Sequence, residues 1–209
     1  NTLITHIQAY LYQKKEWNPY QEGAFAPALC NRIDRNTGGI VIAAKTAEGL
    51  RVMNQKIRDR ELKKYYLCIV HGTLPRPAGR LEGYILKDEA KKQVTVSSRP
   101  RPGAKTAVTL YETLAVRNGL SLVRCQLITG RTHQIRAQFA AAGHPLLGDG
   151  KYGSERQNKR YGRSYQALYS YRLEFCFTTD AGALAPLDGQ QFQVEQVDFV
   201  TEYFPGFSL

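Results

Sequence analysis

Residues 81–129 read LEGYILKDEAKKQVTVSSRPRPGAKTAVTLYETLAVRNGLSLVRCQLIT. A charged segment at 87–92 and two segments that contain Gly, Pro or Asn divide this stretch into four apolar segments of strand character, at 81–86, 93–98, 107–116 and 120–129. Short runs of this kind, separated by turn residues, are typical of successive antiparallel strands. Further segments predict strands on either side, at 39–44 (a short buried strand), 65–71, 167–177 and 191–199.

Helical spacing of apolar residues is found in three other places. Residues 2–13 carry it after a candidate N-cap, Thr2, and a second helix is predicted after Thr46 with Met53 on its apolar face. Residues 132–142 place Ile135, Phe139 and Ala142 in one stripe. The chain has no βαβα alternation, so we predict an α+β fold, a mixed and mostly antiparallel β-sheet with flanking helices, as a single domain over residues 1–209.

Length and composition exclude several classes of protein. The 209 residues are 43% hydrophobic, which is enough to build a core. No apolar run approaches the roughly 18 residues of a membrane span, and no signal peptide is visible. The four cysteines lie far apart, without the paired spacing of a zinc site. These features predict a protein of the reducing cytoplasm that does not bind membranes.

The chain has an excess of positive charge, with 29 Lys and Arg residues against 18 Asp and Glu residues, a net charge of +11. Solubility alone would explain such a charge, and so would a nucleic-acid partner, whose phosphates attract Lys and Arg. The basic residues concentrate in two segments, 51–64 and 151–172, and the second also contains five tyrosines. Basic and aromatic residues together suit a single-stranded or looped nucleic acid, and the charges slightly favour RNA, but tyrosines in a late strand are more typical of a core.

Motifs for common cofactors and metals are missing or out of context. Residues 148–153 match GxGxxG, but they lead into a polar loop and not a helix, so turn glycines explain them. No phosphate-binding GxxxxGK loop and no HExxH pair is present. We therefore expect no cofactor and no metal. A metal-dependent nuclease is disfavoured because it needs clustered carboxylate or His ligands.

Two polar stretches stand out from the scaffold. The first is NRIDRNTGG at 31–39, where Arg32 and Asp34 would point to the same side of an extended chain. The second is TGRTHQIR at 129–136, where His133 and Arg136 are neighbours on one helix face. An ordinary Asx turn and surface arginines would account for the same residues taken one by one.

Taken together, four stretches resemble the RluA-type RNA pseudouridine synthases. RIDRNTGG at 32–39 resembles that family's catalytic motif, and KYYLCIVHG at 64–72, LITGRTHQIR at 127–136 and GHPLLGDGKYG at 143–153 resemble the motifs that follow it in order. The chain departs from the family pattern at Asn31, where His is usual, and at Gln166-Ala167-Leu168, where Leu-His-Ala is usual.

The resemblance implies the pseudouridine synthase fold and the isomerisation of uridine to pseudouridine in RNA, without a cofactor. It implies Asp34 as the catalytic carboxylate, Arg136 as its ionic partner and Tyr66 as the active-site tyrosine. Arg32 would hold the base out of its stack, while Arg131, His133 and Lys64 would contact RNA or shape the loops around it.

The RNA target and the assembly are also expectations from this resemblance. Large-subunit ribosomal RNA is the first choice of target and tRNA the second, with a non-catalytic RNA-binding module on the same fold as a further alternative. We expect a monomer. Many relatives carry an S4 RNA-binding domain before the catalytic domain, and any such domain would lie upstream of Asn1.

Overall fold

The computed structural model of the protein describes residues 2–209 and divides them into two compact units. Unit 1 comprises the described residues up to Ile33 together with Val41–Leu62 and Glu174–Gln191. Unit 2 comprises Asp34–Ile40, Lys63–Leu173 and Phe192–Leu209. No helix within residues 2–209 is long and apolar enough to cross a membrane. The single domain expected from the sequence stays a prediction.

Helices and strands alternate irregularly along the chain. The helices are α1 Leu3–Gln13, α2 Ala47–Arg58, α3 Gln134–Ala141, α4 Glu155–Arg160 and α5 Asp198–Tyr203, with a 3₁₀ helix at Gly182–Leu187. The strands are β1 Ala28–Leu29, β2 Gly38–Gly39, β3 Ala43–Ala44, β4 Leu62–His71, β5 Ala78–Asp88, β6 Gln93–Ser97, β7 Lys105–Arg117, β8 Leu120–Leu127, β9 Leu168–Phe175 and β10 Gln191–Gln193.

An eight-stranded sheet is the framework of unit 2. Its strand order is β10-β9-β4-β8-β7-β5-β6, and β2 pairs with β9 beside this path. The β4–β8, β8–β7, β7–β5 and β5–β6 pairs are antiparallel, whereas β2 runs parallel to β9. The α+β prediction is therefore confirmed, including a mixed, mostly antiparallel sheet and the four strands predicted within residues 81–129.

The main core of unit 2 forms on the central strands. Leu67 and Ile69 of β4 and Leu122 of β8 are fully buried, and Phe199 and Phe204 of the C-terminal segment belong to the same cluster. Alternate residues of β4 and β8 thus bury apolar area, which is the main stabilising contribution in a sheet of this type. This core fixes the strands that carry the site described below.

Helix α3 packs against strands β5, β6 and β7. Ile135 and Phe139 are buried as predicted, but Ala142 is exposed and lies at the C-cap of the helix. Gly143 follows with φ +85°, the left-handed conformation that commonly ends a helix. The predicted stripe is therefore one residue too long, because the helix ends before Ala142.

Two predicted strands differ from the structure. Residues 39–44 form no continuous buried strand: β2 pairs with β9 and β3 pairs with β1, and the φ of +113° at Gly39 turns the chain between them. The predicted strand 191–199 stops at Gln193, and helix α5 begins at Asp198. An acidic residue in the first turn favours this helix, and Phe199 and Val200 are both buried, which a strand exposed on one face would not allow.

Helix α2 of unit 1 starts as predicted, since the Thr46 hydroxyl accepts a hydrogen bond from Gly49 N at 3.0 Å. Met53 is buried, but so is Lys56, which the sequence groups with the exposed basic residues of 51–64. The Lys56 ammonium bonds Glu61 Oε2 at 2.8 Å, Thr179 O at 2.6 Å and Thr179 Oγ1 at 2.7 Å. Lys56 is thus part of the interior of unit 1 and cannot contact RNA.

From the buried ion pair of Lys56 and Glu61 we predict how the stability of the fold changes at acid pH. The hydrogen bond from Lys56 lowers the pKa of Glu61 from 4.5 to about 2, against the opposing effect of burial. Because the folded pKa is the lower one, Glu61 stabilises the fold fully above pH 4.5, and this contribution is lost as the pH falls toward 2. We expect Glu61→Gln to be less stable than the wild type at pH 7 and the difference in Tm to shrink below pH 4.5. A difference that stays constant down to pH 2 would contradict this account.

Candidate active site

Asp34 begins a tight turn in unit 2. Thr37 N donates a hydrogen bond to Asp34 O at 3.0 Å, and Asn36 adopts φ +65°, a conformation that Asn tolerates better than most residues. The Asp34 side chain is 18% exposed, so it is reachable from solvent but largely enclosed. We refer to residues 34–37 as the catalytic turn, after the role that is proposed for Asp34 below.

The chain leaves the catalytic turn through two glycines in close contact with β9. Gly39 pairs with Ser170, and a Cβ atom added to Gly39 would lie 2.1 Å from Ser170 O. Ile40 N donates to that same oxygen at 2.8 Å. Only glycine allows this approach, so Gly39 sets the distance between the catalytic turn and β9.

Arg136 of α3 lies between two carboxylates. Its Nε donates to Asp149 Oδ2 at 2.7 Å and its Nη2 to Asp149 Oδ1 at 2.9 Å, a bidentate pair. Its Nη1 donates to Asp34 Oδ2 at 3.3 Å. The structure thus brings Arg136 and Asp34 together as the sequence predicts, but the shorter and stronger contacts of Arg136 are with Asp149.

Asp149 is completely buried and satisfied on both oxygens. Besides Arg136, Oδ1 accepts hydrogen bonds from Lys151 N at 2.9 Å and Tyr152 N at 3.1 Å. Burial disfavours the charged carboxylate, but the bonds and charge of Arg136 outweigh it and lower the pKa of Asp149. Burial likewise acts against the guanidinium, and the two carboxylates outweigh it and raise the pKa of Arg136. Asp149 and Arg136 therefore both remain charged at neutral pH.

Tyr66 lies on β4 opposite Cys125 of β8 and is buried. Burial raises the pKa of its phenol, a hydrogen bond with Ser170 acts the other way, and the negative charge of Asp34 raises it again. The phenol is therefore neutral at physiological pH and lies within electrostatic reach of Asp34. A neutral phenol can donate a proton at the site, or relay one by giving up its own proton as it accepts another.

His133 and Tyr152 flank Arg136. His133 Nδ1 lies 2.8 Å from Tyr152 Oη, which also accepts a hydrogen bond from Val94 N at 2.9 Å. The Arg136 guanidinium stacks over the Tyr152 ring at 5.3 Å. Burial lowers the pKa of His133, which keeps the imidazole neutral. Tyr152 thus connects His133 and Arg136 to strand β6.

Three further predicted residues lie in different settings. Lys64 is half-buried on β4, and burial lowers the pKa of its ammonium. Arg131 Nε donates to Thr106 O at 3.0 Å, so its side chain ties the loop before α3 to strand β7. Arg32 is exposed and belongs to unit 1.

Asp149 and Tyr152 received no role from the sequence. They lie in a stretch whose glycines predict a turn, and a turn Asp is usually exposed. One signal in the sequence was the apolar pair Leu146 and Leu147, which stands just before Gly148 and Asp149. Both leucines are fully buried in the structure. No group of three or more His, Cys, Asp or Glu residues within 2–209 could hold a metal ion.

Comparisons with known proteins agree on one family. The family model for RNA pseudouridylate synthase matches residues 4–141. An uncharacterized RNA pseudouridine synthase of Mycoplasma genitalium is 38% identical over 84% of this chain and 53% of its own length. The ribosomal large subunit pseudouridine synthase D of Zymomonas mobilis is 31% identical over 86% of this chain and 54% of its own length.

Solved structures agree on the fold. Human RNA pseudouridylate synthase domain containing 4 superposes with a TM-score of 0.71 at 22% identity, covering 95% of this chain and 80% of that one. This chain spans about half the length of the two curated relatives (53% and 54%).

Proposed function

This chain belongs to the RNA pseudouridylate synthase family, and we propose that it isomerises uridine to pseudouridine in structured RNA with Asp34 as the catalytic carboxylate. The observation that supports this most is the placement of Asp34, largely enclosed and 3.3 Å from the guanidinium of Arg136. The guanidinium places a fixed positive charge beside the carboxylate that is proposed to react.

The proposed reaction moves one bond of the nucleotide. The N1–C1′ glycosidic bond breaks, the uracil turns, C5 bonds to C1′, C5 loses its proton and N1 gains one. Asp34 either attacks C1′ or first removes the 2′ proton, and both roles need its negative charge. Tyr66 is proposed to stack on the base and to take part in removing the C5 proton.

The base must leave its stack to reach Asp34. Arg32 is proposed to hold the base out of the RNA helix or to fill the space that it leaves. His133 and Arg131 are proposed to shape the entrance through their contacts with Tyr152 and Thr106. The chemistry needs no cofactor in this proposal, and the monomer is proposed as the active form, in the cytoplasm.

Large-subunit ribosomal RNA is the proposed target, and tRNA is the second candidate. Relatives from Zymomonas mobilis and Borreliella burgdorferi, each 31% identical, are named ribosomal large subunit pseudouridine synthase D, which supports this order. Exposed basic residues of α4, namely Arg156, Lys159 and Arg160, are proposed to contact RNA phosphates.

A single assay tests the proposed function. The protein is incubated with large-subunit ribosomal RNA or tRNA transcripts, in parallel with Mg²⁺ and with EDTA, and pseudouridine is measured by mass spectrometry and RNA length by gel electrophoresis. We expect pseudouridine in ribosomal RNA without added metal. Product only in tRNA would change the target, RNA binding without product would indicate a non-catalytic binding module, and RNA cleavage abolished by EDTA would indicate a nuclease.

Lys64 gives a separate prediction for RNA binding. Its half-buried ammonium is costly to keep charged without an anion, so an RNA phosphate is a favourable partner. We expect Lys64→Ala to weaken RNA binding and to reduce the slope of log K against log salt by about 1. Lys87→Ala is the control, because Lys87 is exposed and paired with Glu89 at 2.7 Å. Equal slopes for both variants and the wild type would exclude Lys64 as a phosphate contact.

A further inference from the structure

Gln166 is a buried residue that contacts the catalytic turn but takes no part in the proposed reaction. It is 5% exposed. Its Nε2 donates to Arg35 O at 2.6 Å and to Thr37 Oγ1 at 3.2 Å. Both acceptors belong to the catalytic turn, on the C-terminal side of Asp34, so one side-chain amide spans most of the turn.

The segment that carries Gln166 is itself firmly held. The next residue, Ala167, donates its N–H to Leu147 O at 2.7 Å and accepts from Ile69 N at 3.1 Å. Leu147, Ile69 and Ala167 are all fully buried. Gln166 therefore extends from the rigid core of unit 2 to the loop that bears the catalytic carboxylate.

The catalytic turn has few other bonds that could fix Asp34. Within the turn, Thr37 N bonds Asp34 O, and the Asp34 carboxylate has its contact with Arg136 at a relatively long 3.3 Å. Gly38 and Gly39, which directly follow the turn, pair with β9, whereas the Arg35 carbonyl inside the turn is held by the Gln166 amide. A turn free to rotate there would change the distance between Asp34 and a bound ribose.

We infer that Gln166 is a positioning residue: it holds the catalytic turn in the geometry that places Asp34 for reaction, and this role rests on the proposed function. The chemistry of the side chain suits the task. An amide offers two N–H donors, matching its two acceptors, and carries no charge at any physiological pH. A carboxylate of the same shape would face the Arg35 carbonyl with no proton to donate.

Gln166→Glu is the test variant, because it keeps the shape and removes the donors. Gln138→Glu is the matched control: Gln138 is also buried (4% exposed), and its Nε2 donates to Leu81 O and Ala107 O, each at 3.1 Å, away from the catalytic turn. Thermal unfolding is measured first for both. If Gln166→Glu does not fold, Gln166→Ala replaces it.

Two measurements are then compared in the folded variants. Hydrogen–deuterium exchange of residues 34–40 should become about fivefold faster in the Gln166 variant, because the turn loses one buried hydrogen-bonding group. In the Gln138 variant, exchange of the same residues should stay unchanged. The single-turnover rate of pseudouridine formation should fall about 100-fold with unchanged RNA affinity, since small displacements of a reacting group cost rates of this order.

The outcomes separate the inference from the proposed function. Unchanged exchange at residues 34–40 overturns the inference, and so does an active wild type whose rate survives the loss of Gln166. A wild type that makes no pseudouridine overturns the proposed function instead. In that case the exchange measurement still decides whether Gln166 holds the turn.

Discussion

Asp34→Asn is expected to abolish pseudouridine formation, lowering the rate by several orders of magnitude while leaving most RNA binding intact. Asn has nearly the same shape as Asp but can neither attack C1′ nor accept a proton at the 2′ position. Among residues 2–209, the Asp34 carboxylate accepts a single hydrogen bond, from Arg136 at 3.3 Å, so the fold should tolerate the change. Single-turnover rates and RNA affinity, measured on the same preparation, check both parts.

Asp59→Asn is the matched control for this experiment. Asp59 is an exposed carboxylate at the end of α2, bonded to Gln55 Nε2 at 2.9 and 2.7 Å. We expect this variant to keep the wild-type rate. Near wild-type formation of pseudouridine by Asp34→Asn would show that Asp34 is not the catalytic carboxylate.

Arg136→Ala is expected to impair both activity and stability. The variant leaves two carboxylates without their guanidinium, and Asp149 is fully buried, so the loss in free energy of unfolding should be about 3–5 kcal/mol. The rate should fall about 100- to 1,000-fold even where the variant is folded, because a fixed charge beside Asp34 is lost. Denaturant unfolding and single-turnover rates measure the two effects.

Arg80→Ala is the control, because Arg80 forms an ion pair with Glu82 in which the side chains are 51% and 54% exposed. An exposed pair of this kind contributes little to stability. Equal destabilisation by the two Arg variants would contradict the stabilising role of the buried Arg136–Asp149 pair. Folded Arg136→Ala with a normal rate would contradict the electrostatic role of Arg136.

Much of the fold could be predicted because its strands have strong local patterns. The segments between residues 81 and 129 carry both apolar alternation and turn residues, and each became a strand. The structure of residues 39–44 and 191–199 was harder to predict, since a short apolar run predicts a strand whatever element it later packs against. The φ of +113° at Gly39 and the start of α5 at Asp198 depend on contacts with β9 and the core that a short sequence window does not contain.

The site was predicted in part for a similar reason. Asp34, Tyr66 and Arg136 lie in stretches that resemble family motifs, and the structure brings Arg136 within hydrogen-bonding distance of Asp34. Asp149, which holds Arg136 more tightly, looks like a turn residue in the sequence. Lys56 looks like an exposed charge, and its burial depends on Thr179, which lies 123 residues away in the chain.

The two hydrogen bonds between Arg136 and Asp149 fix the orientation of the guanidinium before any RNA binds. Because the guanidinium is already oriented by the folded protein, it does not have to turn as charge shifts on Asp34 during the reaction. In water, solvent dipoles would have to reorganise around that shift, which adds to the barrier. Folding has already oriented the guanidinium, so in the proposed reaction Asp34 reacts beside a positive charge that Asp149 holds in place.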